Sequence, residues 1–598
     1  MPPDLARLLA ATTWRAFDAD DRGRVLAGCD ASGSTQLVEL DRTGPRELTA
    51  LPGAVHGRYL VGRRAVVVQH DTDGDERTQL SLLQLPVPHP AALSDLQPLV
   101  RAPGSVHRLL DTRPDQILYT TNRRTGVDFD VVLRDITTGE ERVLYDRGGM
   151  VQEAALSPSA GKLALTVPAE HSMSEQLLVV DLATGEITEL TARDLPAQHH
   201  QPTWLPDESG LVVTTNVDRE FTGIARYDLA GGRPRWLVTA DNDLTGWPSP
   251  DGTTLLVREN RGGASRLSAH DARTGERLRE LPLPEDGWVF GAPPPAWSPD
   301  SSWVAFSFSA PRTPGDVLLV EPGTGTARQL TSSADQLPEL TAPRAHQVPA
   351  RDGARIPCFV YTPTAPDPRL AGSAVLLLHG GPENQAVQAF SPVVQALCAN
   401  GHTVLVPNVR GSTGYGRSWY SADDKHNRLA AVADLADLHD WLPRLGVDPE
   451  RAALWGGSYG GYLVLAGLAF QPDRWSAGVA LAGISSLVTF LRNTAPYRRA
   501  HREREYGSLQ HDLDFLHRAS PLGKAEDIRA PLLVVHGAND PRVPLSEAVQ
   551  LAEAVRANGT ECELLVYPDE GHGLAKKTNR LDAYSQALEF LRRHLARG

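Results

Sequence analysis

Ala452-Ala453-Leu454-Trp455 runs directly into Gly456-Gly457-Ser458-Tyr459-Gly460. An apolar run followed by G-x-S-x-G reads as a strand entering a turn too sharp for most backbones and opening a helix. The turn projects the serine hydroxyl above a sheet edge, and the flanking glycines remove side chains that would collide in it. The pentapeptide alone is equally compatible with a structural turn before a helix, so the reading depends on what lies downstream.

Two further strand-end motifs follow. Pro531-Leu532-Leu533-Val534-Val535-His536 has the short apolar, β-branched character of a buried parallel strand and ends in Gly537-Ala538-Asn539-Asp540. Glu563-Leu564-Leu565-Val566-Tyr567 is a second such strand, ending in Pro568-Asp569-Glu570-Gly571-His572-Gly573. A serine hydroxyl needs an imidazole to take its proton, and the imidazole needs an acid to fix its tautomer. Ser458, Asp540 and His572 supply these groups in the chain order of an α/β-hydrolase. Singly, the His could be a solvated loop residue and the Asp a turn former. Asp569 and Glu570 also neighbour His572, but Asp540 is preferred because it ends its own strand. Residues adjacent to the histidine would struggle to reach its far ring nitrogen.

Ser373-Ala374-Val375-Leu376-Leu377-Leu378 reads as another buried strand, followed by His379-Gly380-Gly381-Pro382. Glycines after the third strand let the backbone approach a developing oxyanion. The expected donors are the N–H of Tyr459 and that of Gly381, with Gly380 the next candidate.

These strings resemble the prolyl oligopeptidase family of serine peptidases, nearest its acylaminoacyl-peptidase and dipeptidyl-aminopeptidase branch. The likeness extends through Asn408-Val409-Arg410-Gly411-Ser412-Thr413-Gly414-Tyr415-Gly416 and Asp540-Pro541-Arg542-Val543-Pro544. The motifs are dispersed over about two hundred residues in the family's order. Leu574 stands where the family commonly has Phe, a conservative apolar change. The resemblance implies that Arg542 lies near the pocket for the residue preceding the scissile bond; a surface arginine at a turn is the alternative.

Upstream, an acidic residue followed closely by a glycine turn recurs at Asp41–Gly44, Asp135–Gly139, Asp181–Gly185, Asp228–Gly232, Asp271–Gly275 and Glu321–Gly325. From Gly139 onward the glycines fall 46, 47, 43 and 50 residues apart, and the interval from Gly44 to Gly139 is 95. One degenerate repeat therefore belongs near Pro86 to Ser94, making seven. A second phrase keeps the same period, as in Trp247-Pro248-Ser249-Pro250-Asp251-Gly252 and Trp297-Ser298-Pro299-Asp300. Four short strands per repeat of this length predict a seven-bladed β-propeller. In dipeptidyl-peptidase relatives a propeller carboxylate holds the substrate's free amino terminus. Asp218 or Glu220 could take that role here, against the simpler reading of a solvated hairpin. Asp71-Thr72-Asp73-Gly74-Asp75-Glu76 superficially resembles a calcium loop but lacks the glycine and the bidentate glutamate at the required positions, and reads as a propeller hairpin.

The expected architecture is an N-terminal seven-bladed β-propeller over residues 1–340 and a C-terminal α/β-hydrolase, a doubly wound, mostly parallel sheet, over 341–598. Within the second half, Leu435, Leu438, Leu442 and Leu445 form an apolar helical stripe, and 582–595 reads as a closing amphipathic helix. Of 598 residues 41% are hydrophobic, and the net charge is −14 with no basic run, which excludes nucleic acid as an expected partner. No stretch of about 18 apolar residues or signal-peptide pattern is evident. The four cysteines, Cys29, Cys358, Cys398 and Cys562, lack paired spacing, so no metal or cofactor is expected and a reducing cytoplasm is the natural compartment.

The expected activity is hydrolysis of short peptides, releasing an N-terminal amino acid, acyl-amino acid or dipeptide through an acyl-enzyme on Ser458. The same triad also suits a small-molecule ester or amide. A third reading, an interaction module with an inactive hydrolase domain, is opposed by the complete set of catalytic motifs. The resemblance implies that the propeller excludes folded substrates; it leaves open whether the chain forms a homo-oligomer.

Overall fold

The repeated acidic–glycine phrase is a hairpin turn, and its atoms explain its recurrence. Asp135 Oδ1 accepts the N–H groups of Thr137 and Thr138, both at 2.8 Å. Asp181 does the same with Ala183 and Thr184, and Asp271 with Arg273 and Thr274. The chain then reverses through Gly139, Gly185 and Gly275 at φ of 75–80°, where only glycine is unstrained. The second phrase is likewise a capped turn. Ser249 Oγ donates to Asp251 at 2.6 Å and accepts from Thr254 N–H at 3.0 Å, and Ser298 repeats both bonds with Asp300 and Trp303.

These turns join the strands of seven antiparallel sheets in a computed structural model that describes residues 3–335, 337–364 and 367–597. The blades span residues 14–47, 55–100, 107–145, 153–189, 199–238, 244–281 and 288–329. Each has four strands except the last, whose innermost strand is split into two pieces that both pair with Val304–Ala310. The degenerate repeat is the second blade, where residues 85–96, including the turn Leu93–Asp95, separate its outer two strands. The ring closes by packing: Ala16, Val25 and Val38 of the first blade share an apolar cluster with Ala305 and Val317 of the last.

The hydrolase sheet has eight strands: β1 (Arg344–Pro349), β2 (Arg355–Tyr361), β3 (Ala374–Leu378), β4 (Thr403–Pro407), β5 (Ala452–Gly457), β6 (Ala477–Leu481), β7 (Leu532–Gly537) and β8 (Cys562–Tyr567). Their order is 1-2-4-3-5-6-7-8, antiparallel at β1–β2 and β2–β4 and parallel thereafter. Strand side chains alternate between two apolar layers. Leu376, Leu454 and Val534 face one; Val375, Ala453 and Val535 face the other. Leu435, Leu438 and Leu442 fill the first layer from Arg428–Trp441 and the turn after it. The closing helix runs Lys577–Leu595, five residues longer at its start than the sequence pattern indicated.

One segment before residue 340 packs on the hydrolase. Helix Pro3–Leu9 places Leu5, Leu8 and Leu9 in the second hydrolase layer with Leu588 and Leu591, because their spacing makes one apolar stripe. Helix Pro3–Leu9 thus lies on the hydrolase, the propeller strands run from Trp14 to Gln329, and the chain returns to the hydrolase at β1.

Candidate active site

Ser458 follows β5 and precedes helix Tyr459–Phe470, with φ 57° and ψ −119°. A non-glycine residue in that region is strained, and the close packing around it holds the strain in place. A Cβ at Gly456 would lie 2.3 Å from Gly460 O, and one at Gly460 would lie 2.1 Å from Leu378 O. These two glycines let the helix start pack directly on β3. Gly457 is different, since its nearest neighbour would be at 3.9 Å. Ser458 N–H donates to Leu481 O at 2.8 Å. Its Oγ has no hydrogen-bond partner among the described residues.

Asp540 lies in the loop after β7 and His572 in the loop after β8, and the structure brings them together. His572 Nδ1 is 2.7 Å from Asp540 Oδ2. Asp540 Oδ1 accepts the N–H groups of Arg542 at 2.8 Å and Val543 at 3.0 Å. The carboxylate is buried. Burial alone would raise its pKa, but hydrogen bonding and charge at His572, with His536 and Val543 N–H, hold it below the ordinary value. Asp569 and Glu570 are engaged elsewhere. Asp569 pairs with Lys576 at 2.7 Å, and Glu570 accepts the N–H groups of Ala575 and Lys576.

The 379–382 loop lies against the serine turn: a Cβ at Gly380 would sit 3.4 Å from Ser458 Cβ. Burial lowers the His379 pKa, partly offset by its hydrogen bond to Gly380 O. Nδ1 lies 2.8 Å from Gly380 O and Nε2 lies 2.8 Å from Ser412 Oγ, whose hydroxyl donates to Val409 O at 2.6 Å. Gly381 has φ 139°. Among the described residues the N–H groups of Tyr459 and Gly381 have no hydrogen-bond acceptor. Tyr459 is anchored from below. Its buried hydroxyl donates to Asp423 at 2.7 Å, and Arg428, paired with Asp423 and Glu505, lies 5.1 Å from its ring centroid. The Tyr459 hydroxyl and both terminal nitrogens of Arg428 are therefore each bonded to a carboxylate.

The remaining sequence candidates, Arg542, Asp218 and Glu220, lie at or near the propeller–hydrolase junction or on a propeller turn. Arg542 Nε donates to Glu76 Oε1 at 2.5 Å, so a propeller carboxylate holds it. Arg498 lies 3.8 Å from the same carboxylate, its pKa pushed down to about 10 by burial and by repulsion from Arg542 and Arg502. Glu220 accepts Ser418 N–H at 2.8 Å and the Ser418 hydroxyl at 2.6 Å, pinning the short hydrolase helix Arg417–Tyr420. Asp218 is exposed on a tight turn with φ 55°. The loop 71–77 instead reaches both catalytic loops. Gly74 packs on Gly571 so closely that a Cβ would meet its nitrogen at 2.5 Å, and Asn539 donates to Asp73 O at 3.2 Å. Sequence reasoning missed Glu76, Arg498 and Glu383. Glu383 accepts Ser172 Oγ of the propeller at 2.6 Å, and its position directly after Pro382 was the available signal. Among the described residues no group of three or more His, Cys, Asp or Glu side chains could hold a metal, and no helix is long and apolar enough to cross a membrane.

The prolyl oligopeptidase family profile matches residues 388–598. The chain is 33% identical over 544 residues to dipeptidyl aminopeptidase BIII of Pseudoxanthomonas mexicana, covering 78% of this chain and 77% of that one. It is 24% identical over 521 residues to the acylamino-acid-releasing enzyme of Rattus norvegicus, covering 80% and 63%. The puromycin-hydrolyzing peptidase of Mycobacterium tuberculosis shares the fold, with TM-score 0.85 at 21% identity over 99% of this chain and 95% of that one. With a propeller, a hydrolase sheet and these motifs at the strand ends, the chain belongs to the prolyl oligopeptidase family and is a serine peptidase.

Proposed function

We propose that Ser458, His572 and Asp540 are the catalytic triad, and that the enzyme releases an N-terminal amino acid, acyl-amino acid or dipeptide from short peptides. The observation that carries this reading is the 2.7 Å bond from His572 Nδ1 to an Asp540 carboxylate already oriented by two backbone donors. In the mechanism Ser458 Oγ attacks the scissile carbonyl while His572 Nε2 takes its proton. The imidazolium is stabilised by Asp540, and the oxyanion is held by the N–H groups of Tyr459 and Gly381. His572 then protonates the leaving amine, and water repeats the sequence on the acyl-enzyme. The Ser458–His572 hydrogen bond is completed when substrate binds, since such bonds commonly tighten only in the Michaelis complex.

The propeller loops against residues 539–571 and 383–418 favour small substrates. Arg542, held by Glu76, is suited to orient the substrate carbonyl or side chain beside the triad. The relatives' names point to dipeptidyl and acylaminoacyl units. Four buried, unpaired cysteines support a cytoplasmic location. A fluorophosphonate reagent should label the enzyme at Ser458, with labelling and peptidase activity both lost in Ser458→Ala; labelling that survives the substitution refutes the triad. Rates on aminoacyl, N-acetyl-aminoacyl, dipeptidyl and simple ester substrates then identify the acyl unit. Preference for the ester with no peptide turnover refutes the peptidase reading.

A further inference from the structure

Between the first and last blades and the hydrolase lies a cavity of about 240 Å³ that none of Ser458, Asp540 and His572 lines. Phe290, Phe390 and Tyr584 form apolar walls, and Arg15, Arg580 and Asp30 supply the charge. Asp30 is fully used. It accepts Thr13 N–H at 2.7 Å and lies 3.2 Å from both Lys577 Nζ and Arg580 Nη2. One buried carboxylate thus serves two cations before Arg15 is considered.

Arg15 has no hydrogen-bond or ion-pair partner among the described residues; its guanidinium lies 5.9 Å from the Phe290 ring centroid. Arg15 is solvent-exposed, and partial desolvation by the surrounding protein lowers its pKa; Asp30 partly offsets this, and repulsion from Arg580 adds to it. The Nε of Arg580 is also buried without a partner. A local surplus of cations is thus built into a chain of net charge −14. Arg15 keeps access to solvent at the cavity mouth, and its planar guanidinium fork matches a carboxylate or phosphate arriving there.

We propose that this cavity binds a small organic anion, a carboxylate or phosphate monoester carrying an apolar or aromatic group, with Arg15 as its principal ligand and Arg580 as the second. The aromatic walls receive the apolar group, and the volume admits a metabolite-sized molecule but not an extended peptide. Both head groups share the chemistry, and their relative affinity identifies which one the site is shaped for.

Calorimetric titration of the intact chain with 3-phenylpropionate and with phenyl phosphate tests this. At least one should bind with unit stoichiometry, unchanged when Ser458 is blocked by a fluorophosphonate. The uncharged 3-phenylpropionamide should bind at least about tenfold more weakly, and Arg15→Gln should weaken the anion by about ten- to a hundredfold. The amide comparison uses the unaltered protein, so it stands even if the variant folds poorly. Absence of binding by both acids at millimolar concentration, equal binding of acid and amide, or binding abolished by blocking Ser458 overturns the proposal. Inorganic phosphate binding as tightly as phenyl phosphate overturns the apolar half of the site.

Discussion

Asp540→Asn isolates one proton position without changing the size of the side chain, and the surrounding loop determines how the amide must turn. Asp540 Oδ1 accepts two backbone N–H groups, from Arg542 at 2.8 Å and Val543 at 3.0 Å. An asparagine keeps both bonds only by placing its oxygen there, which aims its NH₂ at His572 Nδ1. The imidazole must then accept at Nδ1 and carry its proton on Nε2, the atom that has to take the Ser458 proton. The opposite amide orientation restores the tautomer but sets the NH₂ against two donors. Leaving two buried donors unsatisfied costs about 1–3 kcal/mol each. The wrong tautomer therefore wins. In a serine–histidine–aspartate triad this error costs about 10⁴-fold in kcat, about 5.5 kcal/mol of transition-state stabilisation. The assay is kcat on an aminoacyl or dipeptidyl chromogenic amide, with circular dichroism to establish folding. KM should change little, because the substitution removes no substrate contact. A folded Asp540→Asn enzyme within about tenfold of the parent, or an equal loss in Asp569→Asn, would refute the reasoning.

Glu76→Gln should lower kcat/KM by about fivefold, because the Glu76–Arg542 pair is partly exposed and worth about 1 kcal/mol after solvent screening. The loss should shrink at high salt, and strictly additive effects with Arg542→Gln argue against coupling. Gly460→Ala should destabilise the fold by about 3 kcal/mol or more, since its Cβ meets Leu378 O at 2.1 Å. Gly457→Ala, with 3.9 Å of room, should cost less than about 1 kcal/mol, and thermal melts in the reverse order contradict the packing argument. Burial, countered by His200, raises the Glu175 pKa from its ordinary 4.5 to about 7, so the folded protein binds the extra proton. Stability from this group is present below about pH 4.5 and is lost as pH rises through about 7. Glu175→Gln should raise the melting temperature relative to the parent at pH 8 and not at pH 5; a gain of equal size at both values excludes the linkage.

The elbow, the acid and the histidine are legible because each sits where an apolar strand ends, and strand ends are local features. Preferring Asp540 to Asp569 and Glu570 needs only the argument about reach, and the structure accounts for those two with Lys576 and backbone donors. Even the degenerate second blade is legible from spacing, since its insertion lengthens one connection without altering the four-strand pattern. Asp218 and Glu220 are harder to read for the complementary reason. A charged residue at a propeller loop tip carries no local mark of what the opposite domain presents to it, and Glu220 meets Ser418.

What the sequence determined by itself is everything set within a few residues: Asp135 capping Thr137 and Thr138, Ser249 capping Thr254, and the glycines that let Ser458 turn between a strand and a helix. Such bonds close over two to five positions, so residue type and spacing specify them. Only the tertiary structure decided that Glu76 grips Arg542 across 466 residues, that helix Pro3–Leu9 lies on the hydrolase, and that Arg15 and Arg580 share one cavity with the single carboxylate of Asp30. Those contacts depend on how two separately folded surfaces meet, and side-chain charge acts across that junction without regard to distance along the chain.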